Sequence, residues 1–233
     1  MNELIITRSQ RTHRYPTDGF ISRLTIDGIV LIEDLLEPSR CGSLLLALSR
    51  VMSLEICLLA ECAWMFRDPF TLDTFFAAIQ RMGLLQRLTI EGFSLHAPYA
   101  PPLLPICLFQ SPIPIDSLTI HDTHGASLHF LLDCFEPEDT ILDSCWFITN
   151  LPECDRLTLR QIQSFAGFAD VLVGWDGDEL VIDSCSFLDE RFIGELEMIV
   201  AVTGEPLWQD VDVELRGHGD ATSRNIQELQ GSH

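Results

Sequence analysis

Lysine is missing from the sequence altogether, so all 14 basic residues are arginine. That absence removes Schiff-base and lysine general-base chemistry, and with them the phosphate-binding lysine of a Walker loop. No two cysteines have the Cys-x-x-Cys spacing of zinc or dithiol redox sites. No Gly-x-Ser-x-Gly elbow presents a serine, and no basic cluster adjoins a cysteine to make it a thiolate. Met1 to Arg14 lacks an apolar signal-peptide run and carries Arg8, Arg11 and Arg14. The longest uncharged stretch, Gly92 to Ile115, could span a bilayer by length, but Pro98, Pro101, Pro102, Pro105, Pro112 and Pro114 interrupt it. The expectation is a cytoplasmic or nuclear protein, not secreted and not bound to membranes, that is no enzyme and needs no cofactor or metal.

What is present is apolar content and negative charge. With 233 residues and 47% hydrophobic composition, the chain can bury a sizeable core. The net charge of -21 repels phosphate backbones, which argues against nucleic-acid partners. The charge is uneven: residues 1–130 hold 13 acidic and 9 basic residues, residues 131–220 hold 21 and 4. The second half therefore favours a protein partner with a basic surface. Cys57, Cys107 and Cys134 sit beside leucine, isoleucine or phenylalanine and are expected as buried thiols.

A short phrase, Leu-x-Ile or Leu-x-Leu, recurs along the chain. It occurs as Leu24-Thr25-Ile26, Leu54-Glu55-Ile56, Leu88-Thr89-Ile90, Leu118-Thr119-Ile120 and Leu157-Thr158-Leu159. Two copies share a longer ending, Ile141-Leu142-Asp143-Ser144-Cys145-Trp146-Phe147 and Val181-Ile182-Asp183-Ser184-Cys185-Ser186-Phe187, and Val213-Glu214-Leu215 is a last one. If Leu24, Leu54, Leu88, Leu118, Thr140, Leu157, Leu180 and Val213 are equivalent, the spacings are 30, 34, 30, 22, 17, 23 and 33 residues. Helical periodicity falls between strands, at Cys41 to Val51, Asp73 to Met82, Ser127 to Phe135 and Asp189 to Val202. Parallel neighbours need crossovers, so the alternation predicts an α/β fold: an irregular leucine-rich-repeat solenoid with parallel strands and helical returns. The expected boundaries are an N-terminal arm at 1–14, the repeat domain at 15–220 and a frayed tail at 221–233, with Pro98 to Pro114 as a long loop on one face.

The phrases Glu179-Leu180-Val181-Ile182-Asp183-Ser184-Cys185 and Gly204-Glu205-Pro206-Leu207-Trp208 resemble the leucine-rich-repeat portions of fungal F-box-type proteins, and the likeness covers roughly Arg23 to Gly217. The resemblance implies a substrate-recognition module for a ubiquitin ligase. Met1 to Tyr15 has no F-box-like Leu-Pro opening, so the docking element is expected to be absent.

Period-2 geometry puts Thr25, Glu55, Thr89, Thr119, Ile141, Thr158, Val181 and Glu214 on the outer face of the strands. Two residues on lie Asp27, Glu91, His121, Asp143, Arg160, Asp183 and Arg216, the candidate partner-binding row. Solubility alone would also place charges there. Two rival readings remain: a metal-assisted hydrolase built on His121, His124 and an acidic partner with His129 nearby, and a degenerate repeat fragment without independent activity. Asp176-Gly177-Asp178-Glu179 lacks the EF-hand pattern and reads as a solvated turn before a strand, not a calcium loop. Adjacent acids such as Asp189 and Glu190 read as a solvated helix face.

Overall fold

The computed structural model describes residues 3–10, 15–16, 18–58, 65–66, 68–95, 111–163 and 167–231. Nine strands form one sheet, all parallel and in the order of the sequence. They are β1 (Glu3–Ile6), β2 (Arg23–Asp27), β3 (Ser53–Cys57), β4 (Arg87–Glu91), β5 (Ile113–His121), β6 (Phe135–Asp143), β7 (Arg156–Arg160), β8 (Glu179–Asp183) and β9 (Asp212–Arg216). The helices are α1 (Gly28–Leu36), α2 (Pro38–Leu48), α3 (Pro69–Gln80), α4 (Gly125–Cys134), α5 (Phe168–Val173), α6 (Glu190–Thr203) and α7 (Asp220–Leu229). No helix among the described residues is long and apolar enough to cross a membrane.

The register follows the repeated phrase. Leu24, Leu54, Leu88, Leu118, Thr140, Leu157, Leu180 and Val213 are paired in succession across β2 to β9. The residues two positions on, Ile26, Ile56, Ile90, Ile120, Leu142, Leu159, Ile182 and Leu215, form a second row on the same side. From β2 to β8 both rows are buried in the core that the helices close. A slipped register would turn these side chains to the outer face, which is why the phrase fixes the pairing. In β5 and β6 the alternation shifts by one residue at matching places, Asp116-Ser117 and Glu138-Asp139, so that both halves of each longer strand keep a buried side.

A recurring turn ends the strands from β4 onward. Gly92, Asp122, Ser144, Gln161, Ser184 and Gly217 each follow a strand and have positive φ, between 50° and 73°. The amide N–H groups of the first five donate to the carbonyls of His121, Asp143, Arg160, Asp183 and Arg216 on the next strand, at 2.9 to 3.1 Å. The left-handed residue turns the chain inward, and the residues that follow, Phe93, Thr123, Cys145, Ile162 and Cys185, are buried. Cys145 donates to the carbonyl of Ile120 at 3.4 Å and Cys185 to that of Leu159 at 3.2 Å, so each thiol satisfies a buried backbone acceptor. Gly92 meets a further requirement, since a Cβ there would collide with the Leu58 carbonyl.

Several elements differ from expectation. The N-terminal arm holds strand β1, whose Leu4 and Ile6 extend the inner rows opposite Leu24 and Ile26. Helix α1 follows β2 directly: Asp27 caps it by accepting from the Ile29 amide at 2.9 Å, and its apolar residues are buried on nearly all sides, which erases the helical period. The segment read as a tail contains α7, which buries Ile226. Pro114, assigned to the long loop, lies inside β5; residues 98–110 of that loop fall outside the described residues.

Two aromatic clusters fill the space between sheet and helices. Phe66, Phe75, Phe76, Phe93, Phe130 and Phe135 pack edge-on or tilted around the middle of the sheet, with Phe93 and Phe130 stacked. Phe168, Phe187 and Phe192 do the same below β7 and β8. At the other end, the buried Asp34 of α1 accepts from Tyr15 Oη at 2.7 Å and from Arg40 Nη1 at 3.1 and 3.2 Å, tying the N-terminal segment to α1 and α2.

Candidate protein-binding face

Side chains pointing away from the helices form three rows. The middle one runs Ile5, Thr25, Glu55, Thr89, Thr119, Ile141, Thr158, Val181 and Glu214. The second runs Asp27, Cys57, Glu91, His121, Asp143, Arg160, Asp183 and Arg216, so the structure brings all seven candidate residues into one line. Cys57, expected inside, is the eighth member and half-buried on the outer face. Strand parity put it there, and its leucine and isoleucine neighbours misled. The third row, Arg87, Ser117, Asp139, Arg156, Glu179 and Asp212, was not picked out, although the same step of two residues marks it.

Strand β7 organises the charges. Arg160 Nε donates to Asp183 Oδ2 at 3.2 Å and its Nη1 lies 3.6 Å from Asp143 Oδ2. Arg156 Nε donates to Glu179 at 2.6 Å, with Asp139 at 3.4 Å on its other side. Each arginine thus bridges carboxylates on β6 and β8, and in these two rows Asp139, Asp143, Glu179 and Asp183 face two guanidiniums. The hydrogen bond from Ser184, at 2.9 Å, holds Asp183 below the ordinary carboxylate range, and with Arg160 and Arg216 it outweighs the opposing effect of burial. On β9, Arg216 pairs bidentately with Glu214, at 2.8 and 2.5 Å, and lowers its pKa.

Between these ion pairs lies an apolar floor. Val181 is only 2% exposed and Thr158 9%, with Ile141 beside them, because rows of longer charged side chains flank the short middle residues. The centre of the face is therefore less polar than the alternation suggested. Toward β1 the face carries its own pairs, Arg8 with Asp27 at 3.2 Å and Arg23 with Glu55 at 2.6 Å.

The histidines proposed as metal ligands go to different neighbours. His121 Nε2 lies 3.9 Å from Asp143, the His124 ring lies against Trp146, and His129 Nε2 is 2.7 Å from Thr149 Oγ1. Among the described residues no three His, Cys, Asp or Glu side chains are grouped to hold a metal ion. The acidic turn before β8 is occupied structurally: Asp178 and Glu179 donate their amides to the Asp155 carbonyl, and Trp175 Nε1 donates to that of Pro152. Burial pushes the Cys134 and Cys145 thiols up to about 12 and Cys185 to about 11, which favours the protonated thiol over the thiolate.

Two features outside the rows escaped the sequence reading. Trp146 and Phe147, just past β6, are 46% and 61% exposed, and Phe147 has φ of 54°. A groove of about 530 Å³ opens between α5 and α6, lined by Ala169, Asp170, Glu195, Met198, Ile199 and Val202 among others. Compared with family models, curated proteins and solved structures, the chain has no match.

Proposed function

We propose that this chain is an irregular leucine-rich-repeat solenoid that recognises another protein, with the outer sheet face as its contact surface and a basic partner as its target. The observation that carries the reading is the single row of Asp27, Glu91, His121, Asp143, Arg160, Asp183 and Arg216 held in register by parallel pairing. Rigid, sequentially stacked strands present such rows as one broad surface, and surfaces of this type are what repeat proteins use for binding. The carboxylate excess on β6 to β8 selects for positive charge, and the apolar floor of Ile141, Thr158 and Val181 offers a desolvated centre between charged rims. The module has no catalytic role and serves as a receptor, in the manner of the substrate-recognition part of a ubiquitin ligase.

The test compares the wild-type chain with an Asp143→Arg, Asp183→Arg double variant in pull-downs from a cytosolic extract. A specific partner recovered by the first and lost by the second, with unchanged thermal stability, supports the reading. A partner retained by the double variant overturns the assignment of this face. Ligase subunits among the recovered proteins would tie recognition to ubiquitin transfer, and their absence would argue against that link.

A further inference from the structure

Asp143-Ser144-Cys145-Trp146-Phe147 and Asp183-Ser184-Cys185-Ser186-Phe187 share four of five residues at the same place in the register, differing at Trp146 and Ser186, yet their phenylalanines end differently. Phe187 is fully buried against Phe168 and Phe192. Phe147 is turned out to solvent through a left-handed backbone, with Trp146 exposed beside it. Trp175 and Trp208, by contrast, are buried and donate their indole N–H groups to the carbonyls of Pro152 and Leu172.

The exposed pair is rigidly held. It sits between two fully buried residues, Cys145 and Ile148. The Trp146 amide donates to the Thr123 carbonyl at 3.1 Å, and the Trp146 carbonyl accepts from Gly125 at 3.0 Å. The His124 ring lies 6.2 Å from the indole. Two aromatics shown to water on a fixed backbone are what a pre-organised binding anchor requires, because little conformational entropy remains to be lost on contact.

We propose that Trp146 and Phe147 form the anchor by which the acidic half of the chain grips an arginine-bearing apolar segment of its partner, a claim that rests on the recognition reading above. Charge selects this occupant. Residues 131–220 carry 21 acidic against 4 basic residues, and Asp122, which precedes the Thr123 that bonds the Trp146 amide, is exposed and has no ion pair among the described residues. A guanidinium stacks on an indole face more favourably than an ammonium does and can meet a carboxylate at the same time. A second copy of the chain would instead bring another net charge of -21 to the same place.

The probe is an octapeptide alternating arginine and leucine, with a glutamate–leucine octapeptide as control, titrated calorimetrically and by intrinsic tryptophan fluorescence, the change due to Trp146 being the part lost in Trp146→Ala. Wild type should bind the arginine peptide saturably and the glutamate peptide not at all. Trp146→Ala and Phe147→Gly should each weaken binding about tenfold or more, and Met198→Ala, on the groove between α5 and α6, should change nothing. Phe147→Gly removes the left-handed strain, so weaker binding there with undiminished melting temperature excludes misfolding as the cause. If Asp143→Asn with Asp183→Asn abolishes binding while the aromatic variants do not, the sheet face stands and the anchor is overturned. If no variant weakens binding, or wild type does not bind, the anchor is overturned; if no variant weakens it, the arginine peptide is merely following net charge. Sedimentation showing wild-type dimers that Trp146→Ala dissociates would overturn the basic occupant in favour of a second copy.

Discussion

Arg160 donates to Asp183 at 3.2 Å while its other arm lies 3.6 Å from Asp143, so one guanidinium holds together carboxylates on strands that are not neighbours. Removing it leaves Asp143 and Asp183 on the outer face without that counter-charge. The pair is partly exposed, so Arg160→Leu is expected to lower stability by no more than about 1 kcal/mol. The difference from wild type should shrink as salt rises toward about 1 M, where the Debye length falls to about 3 Å. A basic partner should associate faster with the variant, which stopped-flow measurements at low salt would register.

Acid should weaken the fold through Asp183. Its folded-state pKa lies below the unfolded value, so its contribution is present above that value, near 3.9 on the reference scale, and is lost as pH falls through the folded pKa. Asp183→Asn is expected to flatten the acid limb of the stability curve in this region while leaving the slope near neutrality unchanged. Chemical denaturation at a series of pH values measures both.

His218 acts at higher pH. Burial lowers its pKa, and its Nε2 is buried without a hydrogen-bond partner among the described residues. The neutral ring is favoured in the fold, so stability is present above the unfolded value of about 6.5 and falls as pH drops through the folded pKa. His218→Leu should remove that slope. An unchanged slope would assign it to another group.

The register was legible because Leu-x-Ile carries two buried residues at a spacing only a strand can use, and Leu24 to Val213 align as the spacing argument required. The candidate row followed from the same parity. Helix α1 was not legible, since Ile29 to Ile32 are apolar and β-branched or leucine throughout and look like more strand after Leu24 to Asp27. Helix α7 was hidden by low apolar content, with Ile226 the one fully buried residue among those described. Phe147 had no signal either, because it matches the buried Phe187 in identity and only the backbone path differs, while Trp146 stands where the other copy has the exposed Ser186.

The turns make opposite demands at two positions. Gln161, at φ 53°, occupies a conformation that disfavours a side chain by about 1 to 2 kcal/mol, partly offset by the unfolded-state entropy of glycine. Gln161→Gly should therefore leave stability unchanged or raise it by up to about 1 kcal/mol. Gly92→Ala should lower it by more than about 1 kcal/mol, because its Cβ strikes the Leu58 carbonyl in addition to the unfavourable φ. Thermal unfolding of the two variants gives the comparison directly.

Asp34 is 1% exposed and held by Tyr15 and Arg40. Asp34→Ala removes the acceptor that Tyr15 shares with the part-exposed Arg40, and Tyr15→Phe removes the neutral donor while leaving the ion pair; each should cost about 1.5 to 3 kcal/mol. Hydrogen exchange at β1 should accelerate in both variants ahead of β5 and β6, because Tyr15 belongs to the segment that joins β1 to β2.

Sequential pairing also governs how the sheet comes apart. Among the described residues every strand is bonded only to the strands before and after it in the chain, so no hydrogen bond of the sheet skips a unit there. Tension applied to either end would peel strands one by one, each release leaving the remaining register intact. Strand β9, exposed or half-exposed at all five positions, would leave before β8, whose middle three residues are buried. Under load the molecule should act as a row of latches, with its loosest latch in its acidic half.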